Sequence, residues 1–178
     1  MAKVVTGKVR FSYCNVFEPR ASAEGQEPKY SVCIMIPKSD KKTLAAIEKA
    51  IEEAKKEGRE KWGGKIPAKL NLPLRDGDEE RPDRPEFRGH YFLNASSKFK
   101  PGLVDKQLNP IIDPEEFYSG CYGRASLNFY AYNVSGNRGI AAGLNAIQKI
   151  SDGEPLGGRI RPEDEFDVWE DDEDDLLG

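Results

Sequence analysis

Residues 121–150 read CYGRASLNFYAYNVSGNRGIAAGLNAIQKI, and this stretch decides the fold. From 121 to 132 the residues alternate. Ala125, Leu127, Phe129 and Ala131 fall on one side, and Tyr122, Arg124, Ser126, Asn128, Tyr130 and Tyr132 on the other. A period of two places one set on a core and the other outside a pleated strand. NVSGNRG at 133–139 has turn chemistry. Residues 140–150 return as a last strand, where Gly143 marks a bulge. The whole is a β-hairpin.

Working outward, GHYFLNASS at 89–97 reads as another strand, followed by Lys98, Phe99 and Lys100. Residues 101–120 carry Pro101, Pro110 and Pro114 and form a structured loop. YSVCIMI at 30–36 is nearly all apolar, the mark of a central strand buried on both faces, and Pro37 ends it. Residues 4–13 alternate as one strand, with Val9, Phe11 and Tyr13 opposite Lys8, Arg10 and Ser12. Pro19, Gly25 and Pro28 make 15–29 a loop. Ser39 or Asp40 offers an N-cap for a helix running to about Lys61, with Leu44, Ile47, Ile51 and Ala54 as its apolar stripe. Residues 62–88 are rich in Gly and Pro and form a long loop, functional or mobile. The fold class is therefore mainly β: an OB-like, five-stranded Greek-key barrel with one amphipathic helix and long loops. The helix follows the second strand, whereas the usual OB helix lies between the third and fourth.

The chain divides into a domain over 1–150, a linker over 151–162 and an acidic tail over 163–178. The tail, EDEFDVWEDDEDDLLG, holds ten acids and no Lys or Arg. The chain is formally −4, but 27 cations against the 21 acids left in 1–162 make the body about +6. Charge this dense resists folding, so the tail is expected to be disordered. Phe166, Val168, Trp169, Leu176 and Leu177 are its apolar anchors, set among Asp171, Asp172, Glu173, Asp174 and Asp175. The alternative is a solubilising tail without a partner. No apolar run has the length of a membrane span and the start is unlike a signal peptide, so the protein is expected in the cytoplasm. Cys14, Cys33 and Cys121 form no CxxC pair, and their spacing with His90 supports no zinc site.

Phosphate-loop, dinucleotide, zincin and nucleophile-elbow motifs are all absent. Acid pairs such as Asp76 with Asp78, or Asp113 with Glu115 and Glu116, leave a metal-dependent nuclease as a third reading, though loop acids usually form turns. Aromatic rings beside cations are the stronger pattern. Single-strand binders need a positive groove for phosphates and flat rings for bases. Lys8, Arg10, Phe92, Lys98, Phe99, Lys100, Tyr122, Arg124, Tyr130, Tyr132 and Arg138 are the candidate DNA-binding residues, chosen from strand faces. The alternative cover for the tyrosines is the helix, or a partner subunit in a homodimer.

Residues 109–158, NPIIDPEEFYSGCYGRASLNFYAYNVSGNRGIAAGLNAIQKISDGEPLGG, with YSVCIMIPKSDK at 30–41 and LPLRDGDEE at 72–80, resemble a phage and prophage family. That family, once described as a domain of unknown function, is similar to the single-stranded DNA-binding proteins of tailed phages. FYSGCYGRAS is the most specific segment. The resemblance implies an OB fold, sequence-independent binding of single-stranded DNA in replication or recombination, and a tail that contacts a polymerase, helicase or recombinase. It implies no catalytic residue, metal or cofactor. Many such tails end in an aromatic residue, whereas this one ends Leu176-Leu177-Gly178. Either the leucines or Trp169 take that role, or the tail acts by charge, competing with DNA for the groove. The rival reading is a scaffold or DNA-mimic inhibitor without DNA affinity of its own.

Overall fold

The structure, a computed structural model, describes residues 2–21, 24–156 and 166–169. Its elements are β1 (Ala2–Val5), β2 (Val9–Arg20), β3 (Lys29–Pro37), α1 (Lys41–Glu57), β4 (Arg75–Asp76), α2 (Gly77–Glu80), β5 (His90–Ser97), β6 (Gly102–Val104), β7 (Tyr122–Val134) and β8 (Asn137–Ser151). Short 3-10 turns lie at Arg59–Trp62 and Pro85–Phe87.

The hairpin forms at the place its alternation and turn residues indicate. Val134 faces Asn137, leaving Ser135 and Gly136 as a two-residue turn with φ of 51° and 84°. Two left-handed residues in succession match the twist of the flanking strands. Ala125, Leu127, Phe129 and Ala131 are all buried, as the alternation requires. The bulge lies at Asn145 instead of Gly143: Ser126 faces Ala146, Leu127 faces Leu144, and Gly143 stays in register with Asn128.

Five strands pair into a ring. β2 pairs with β3, β3 with β5, β5 with β8, β8 with β7, and β7 with β2. Every pairing is antiparallel except β5–β8, where Ala95 and Ser96 meet Ala142 and Gly143. The short strands β1, β4 and β6 extend the wall by pairing with β7, β5 and β8, respectively, so the described residues hold eight strands against the five expected. Inside the ring, Phe11, Ile34, Leu93, Leu127 and Phe129 are fully buried. Each such side chain contributes about 1.5–3 kcal/mol of transfer free energy.

Residues 4–13 are two strands, not one. Thr6 is buried, its backbone N–H donates to Ala125 O, and its hydroxyl accepts from Ala125 N, both at 3.0 Å. Gly7 N then donates to Thr43 Oγ1 at 2.9 Å, turning the chain toward α1. β2 runs on to Arg20, shortening the expected loop at 15–29. It also carries a bulge: Ser12 faces Cys33 but Asn15 faces Ser31. Tyr13 takes φ of 49° there and turns outward, against the predicted alternation, while Ser12, buried beside its partner Cys33, keeps the outer side.

Asp40 caps α1 by accepting from Thr43 N at 3.2 Å. Leu44, Ile47, Ile51 and Ala54 point into the core. The helix stops at Gly58, where a Cβ would stand 2.2 Å from Ala131 Cβ, and only a bare backbone can pass. The segment at 62–88 is more ordered than expected. Lys38 bridges Asp76 at 2.8 Å and Asp78 at 2.7 Å, and Asp78 also accepts from Gly89 N. Among the described residues no helix is long and apolar enough to cross a membrane.

Candidate nucleic-acid interface

The outer faces of β3 and β5 carry polar residues at a period of two: Ser31 on one, Asn94 and Ser96 on the other. Ser31 and Ser96 floor a cleft of about 550 Å³ walled by Arg20, Gln26, Glu27, Lys29 and Lys98. Arg20 and Lys29 face each other as cross-strand partners. Like charges directly opposite are destabilising, so this pairing concentrates positive potential that an anion would relieve. Glu27, 3.7 Å from Lys98 across the same cleft, offsets part of it. Ser96 also borders a smaller groove with Asn94, Arg75, Tyr132, Ala141 and the segment 71–73. The two form one polar track across β3, β5 and β8, carrying Arg20, Lys29, Lys98 and Arg75 and ending on the Tyr132 ring.

Of the candidate residues, Lys98 and Tyr132 stand on this track. Phe99 follows Lys98 and is 81% exposed, a large ring with no core to serve. Lys100 sits over the Phe17 ring at 5.7 Å. Tyr130 lies over β8, its Cε1 being 3.4 Å from where a Gly143 Cβ would stand, and burial raises its hydroxyl pKa. Arg138 is exposed beside the hairpin turn.

Lys8, Arg10 and Tyr122 form a separate cluster where β2 meets β7. Lys8 Nζ and the Arg10 guanidinium lie 5.2 and 5.3 Å from the Tyr122 ring. Arg10 is anchored by donating to Gly120 O at 3.0 Å and Glu154 O at 2.7 Å, and Arg124 by donating to Thr6 O at 3.0 Å. These two arginines hold backbone, and Lys8 is the cation of the cluster with no such anchor described.

Phe92 is a correction. Its ring is 1% exposed, in a second apolar cluster with Cys33, Met35 and Phe87 on the outer side of β3 and β5. The 3-10 turn at Pro85–Phe87 and Leu156 cover it, so it offers no face to a base. Burial pushes the Cys33 thiol up to about 12, against the opposing pull of Arg81 and Arg84. Asp113 accepts from Glu115 N at 2.9 Å and forms a turn. Asp76 and Asp78 hold Lys38.

Arg20, Lys29, Arg75, Asn94 and Ser96 were not among the sequence candidates. The signal for the cleft floor was the polarity of Ser31 in a strand read as nearly all apolar, and of Asn94 and Ser96, two residues apart, in the next. Of the tail, Phe166 and Trp169 are exposed and lie in no regular element. Asp171, Asp172, Glu173, Asp174, Asp175, Leu176 and Leu177 lie outside the described residues.

Known proteins place this architecture. The family described as the ssDNA-binding protein of Enterobacter phage Enc34 matches residues 2–177. Protein p50 of Acyrthosiphon pisum secondary endosymbiont phage 1 is 32% identical over 176 residues, covering 93% of this chain and 92% of that one. The single-stranded DNA-binding protein of bacteriophage Enc34, solved in complex with ssDNA, superposes with a TM-score of 0.78 at 27% identity, over 88% of this chain and 90% of that one. The single-stranded DNA-binding protein gp2.5 of bacteriophage T7 shares the fold, with a TM-score of 0.64 at 15% identity over 93% of this chain and 95% of that one. By its match from end to end, the chain belongs to the Enc34 phage single-stranded DNA-binding protein family.

Proposed function

We propose that this protein binds single-stranded DNA without sequence preference and serves phage-type replication or recombination in the host cytoplasm, without catalysis. The observation that carries the reading is the convergence of Arg20, Lys29 and Lys98 on one cleft, on the outside of a strand ring. We read the ring, with its single parallel closure between β5 and β8, as an OB barrel with its helix shifted one connection earlier. Phosphates follow the cations of the track, and bases stack on Tyr132, Tyr130 and Phe99. Lys8, Tyr122 and Arg138 extend the positive surface. The acidic tail lies over the track when DNA is absent and, when displaced, contacts a polymerase, helicase or recombinase.

A full-length protein titrated with labelled oligo-dT tests this reading. Log affinity should fall with log salt, and replacing Arg20, Lys29 and Lys98 by Ala should flatten the slope by about 0.7 for each phosphate no longer neutralised. Tyr132→Ala should instead cost about 1–3 kcal/mol with the slope unchanged. Absence of binding at low salt would leave the scaffold or DNA-mimic reading in its place.

A further inference from the structure

Tyr13 departs from its surroundings in two ways. It is a large L-residue at φ of 49°, a region that glycine fills more readily, and it is an aromatic ring 49% exposed on the outside of the ring of strands. Regular alternation from Val9 and Phe11 would have sent it into the core. The bulge in β2 brings it out instead, and a glycine would make the same bulge with less strain. The backbone therefore does not require this ring.

Arg84, from the connection before β5, lies over the ring, its guanidinium carbon 5.5 Å from the centroid, and donates to Tyr13 Oη. Its only ion pair among the described residues is a loose one, 3.9 Å from Glu86. Beside the pair opens a cleft of about 330 Å³, bordered by Ser12, Ser119, Glu86 and Leu156. Arg81 adds a second cation nearby, 5.2 Å from the Phe92 ring. A flat ring, a guanidinium and hydroxyls around an open cleft match a nucleotide: a π-face for the base and a cation for the phosphate.

We propose that Tyr13 and Arg84 form a nucleotide subsite in which Tyr13 stacks on a base and Arg84 neutralises an adjacent phosphate. The proposal rests on the single-strand reading above and extends the DNA path from the Arg20 end of β2 to its other half. No residue of the subsite was among the sequence candidates.

The test is fluorescence anisotropy of labelled oligo-dT with the full-length protein at several salt concentrations, beside thermal melts. Tyr13→Gly should weaken binding about tenfold, with an unchanged salt slope and a melting temperature equal to or above that of the wild type. Tyr13→Phe should keep wild-type affinity, and Arg84→Gln should flatten the slope by about 0.7. Wild-type affinity in a folded Tyr13→Gly protein overturns the subsite alone. So does a loss of affinity that only tracks loss of folded protein. A wild-type protein that binds no oligo-dT overturns the single-strand reading with it.

Discussion

Asp76 and Asp78 share one cation, and the sharing has a pH signature. Hydrogen bonding to Lys38 holds both carboxyls below the ordinary carboxylate range. Their folded pKa values therefore lie under their unfolded ones. The resulting stability is full above the ordinary carboxyl pKa and disappears as pH falls through the folded values. Lys38→Met should lower the melting temperature at neutral pH, and its gap to wild type should narrow between about pH 5 and pH 2. A gap that stays constant with pH would assign the effect to the Lys38 ammonium over the Tyr91 ring, 5.2 Å from Nζ, and not to the two carboxylates. Phe92 gives a second residue-scale expectation. Truncation to Ala should cost about 3–5 kcal/mol of stability in a denaturant melt, with oligo-dT affinity per folded molecule preserved. A stable Phe92→Ala protein with weakened binding would return this ring to the DNA path.

Elements were legible where one face met the core and the other met water. The alternation at 121–132 and the stripe of Leu44, Ile47, Ile51 and Ala54 gave β7 and α1 because burial enforces the periods of strand and helix directly. The N-cap was legible for the same local reason. Asp40→Ala should lower stability by about 1 kcal/mol in a urea melt, since the Thr43 N–H loses its partner. Tyr13 and Phe92 were not legible because each depends on a second segment. A bulge set by pairing with β3 reverses the direction of Tyr13. Phe87, from the turn just before β5, and Leu156, from far along the chain, cover Phe92. The cross-strand meeting of Arg20 with Lys29 required a register that no single strand reveals. Asn94 and Ser96, two apart, were visible, but Ser31 sat in a strand read as nearly all apolar, and only the register of β3 with β5 sets the three on one face.

At the scale of the whole molecule, the charge is divided between a body of about +6 and a tail carrying ten acids. A short tether keeps such a tail at millimolar effective concentration near the body. Deleting residues 163–178 should therefore tighten oligo-dT binding, most at low salt, and the advantage should fade as screening grows. Equal affinities of the two proteins at every salt concentration would remove competition from the account, leaving recruitment to be tested by pull-down of a polymerase or recombinase. The ring has a temporal consequence as well. It closes through β7 and β8, the last strands among the described residues, which must find β2 and β5 across more than a hundred and some forty intervening residues, respectively. Pairings so remote in sequence form slowly, because loop closure must precede their reward. On a nascent chain these two pairings can form only once β7 and β8 have left the ribosome, and single-mixing refolding should be correspondingly slow for a protein of this size.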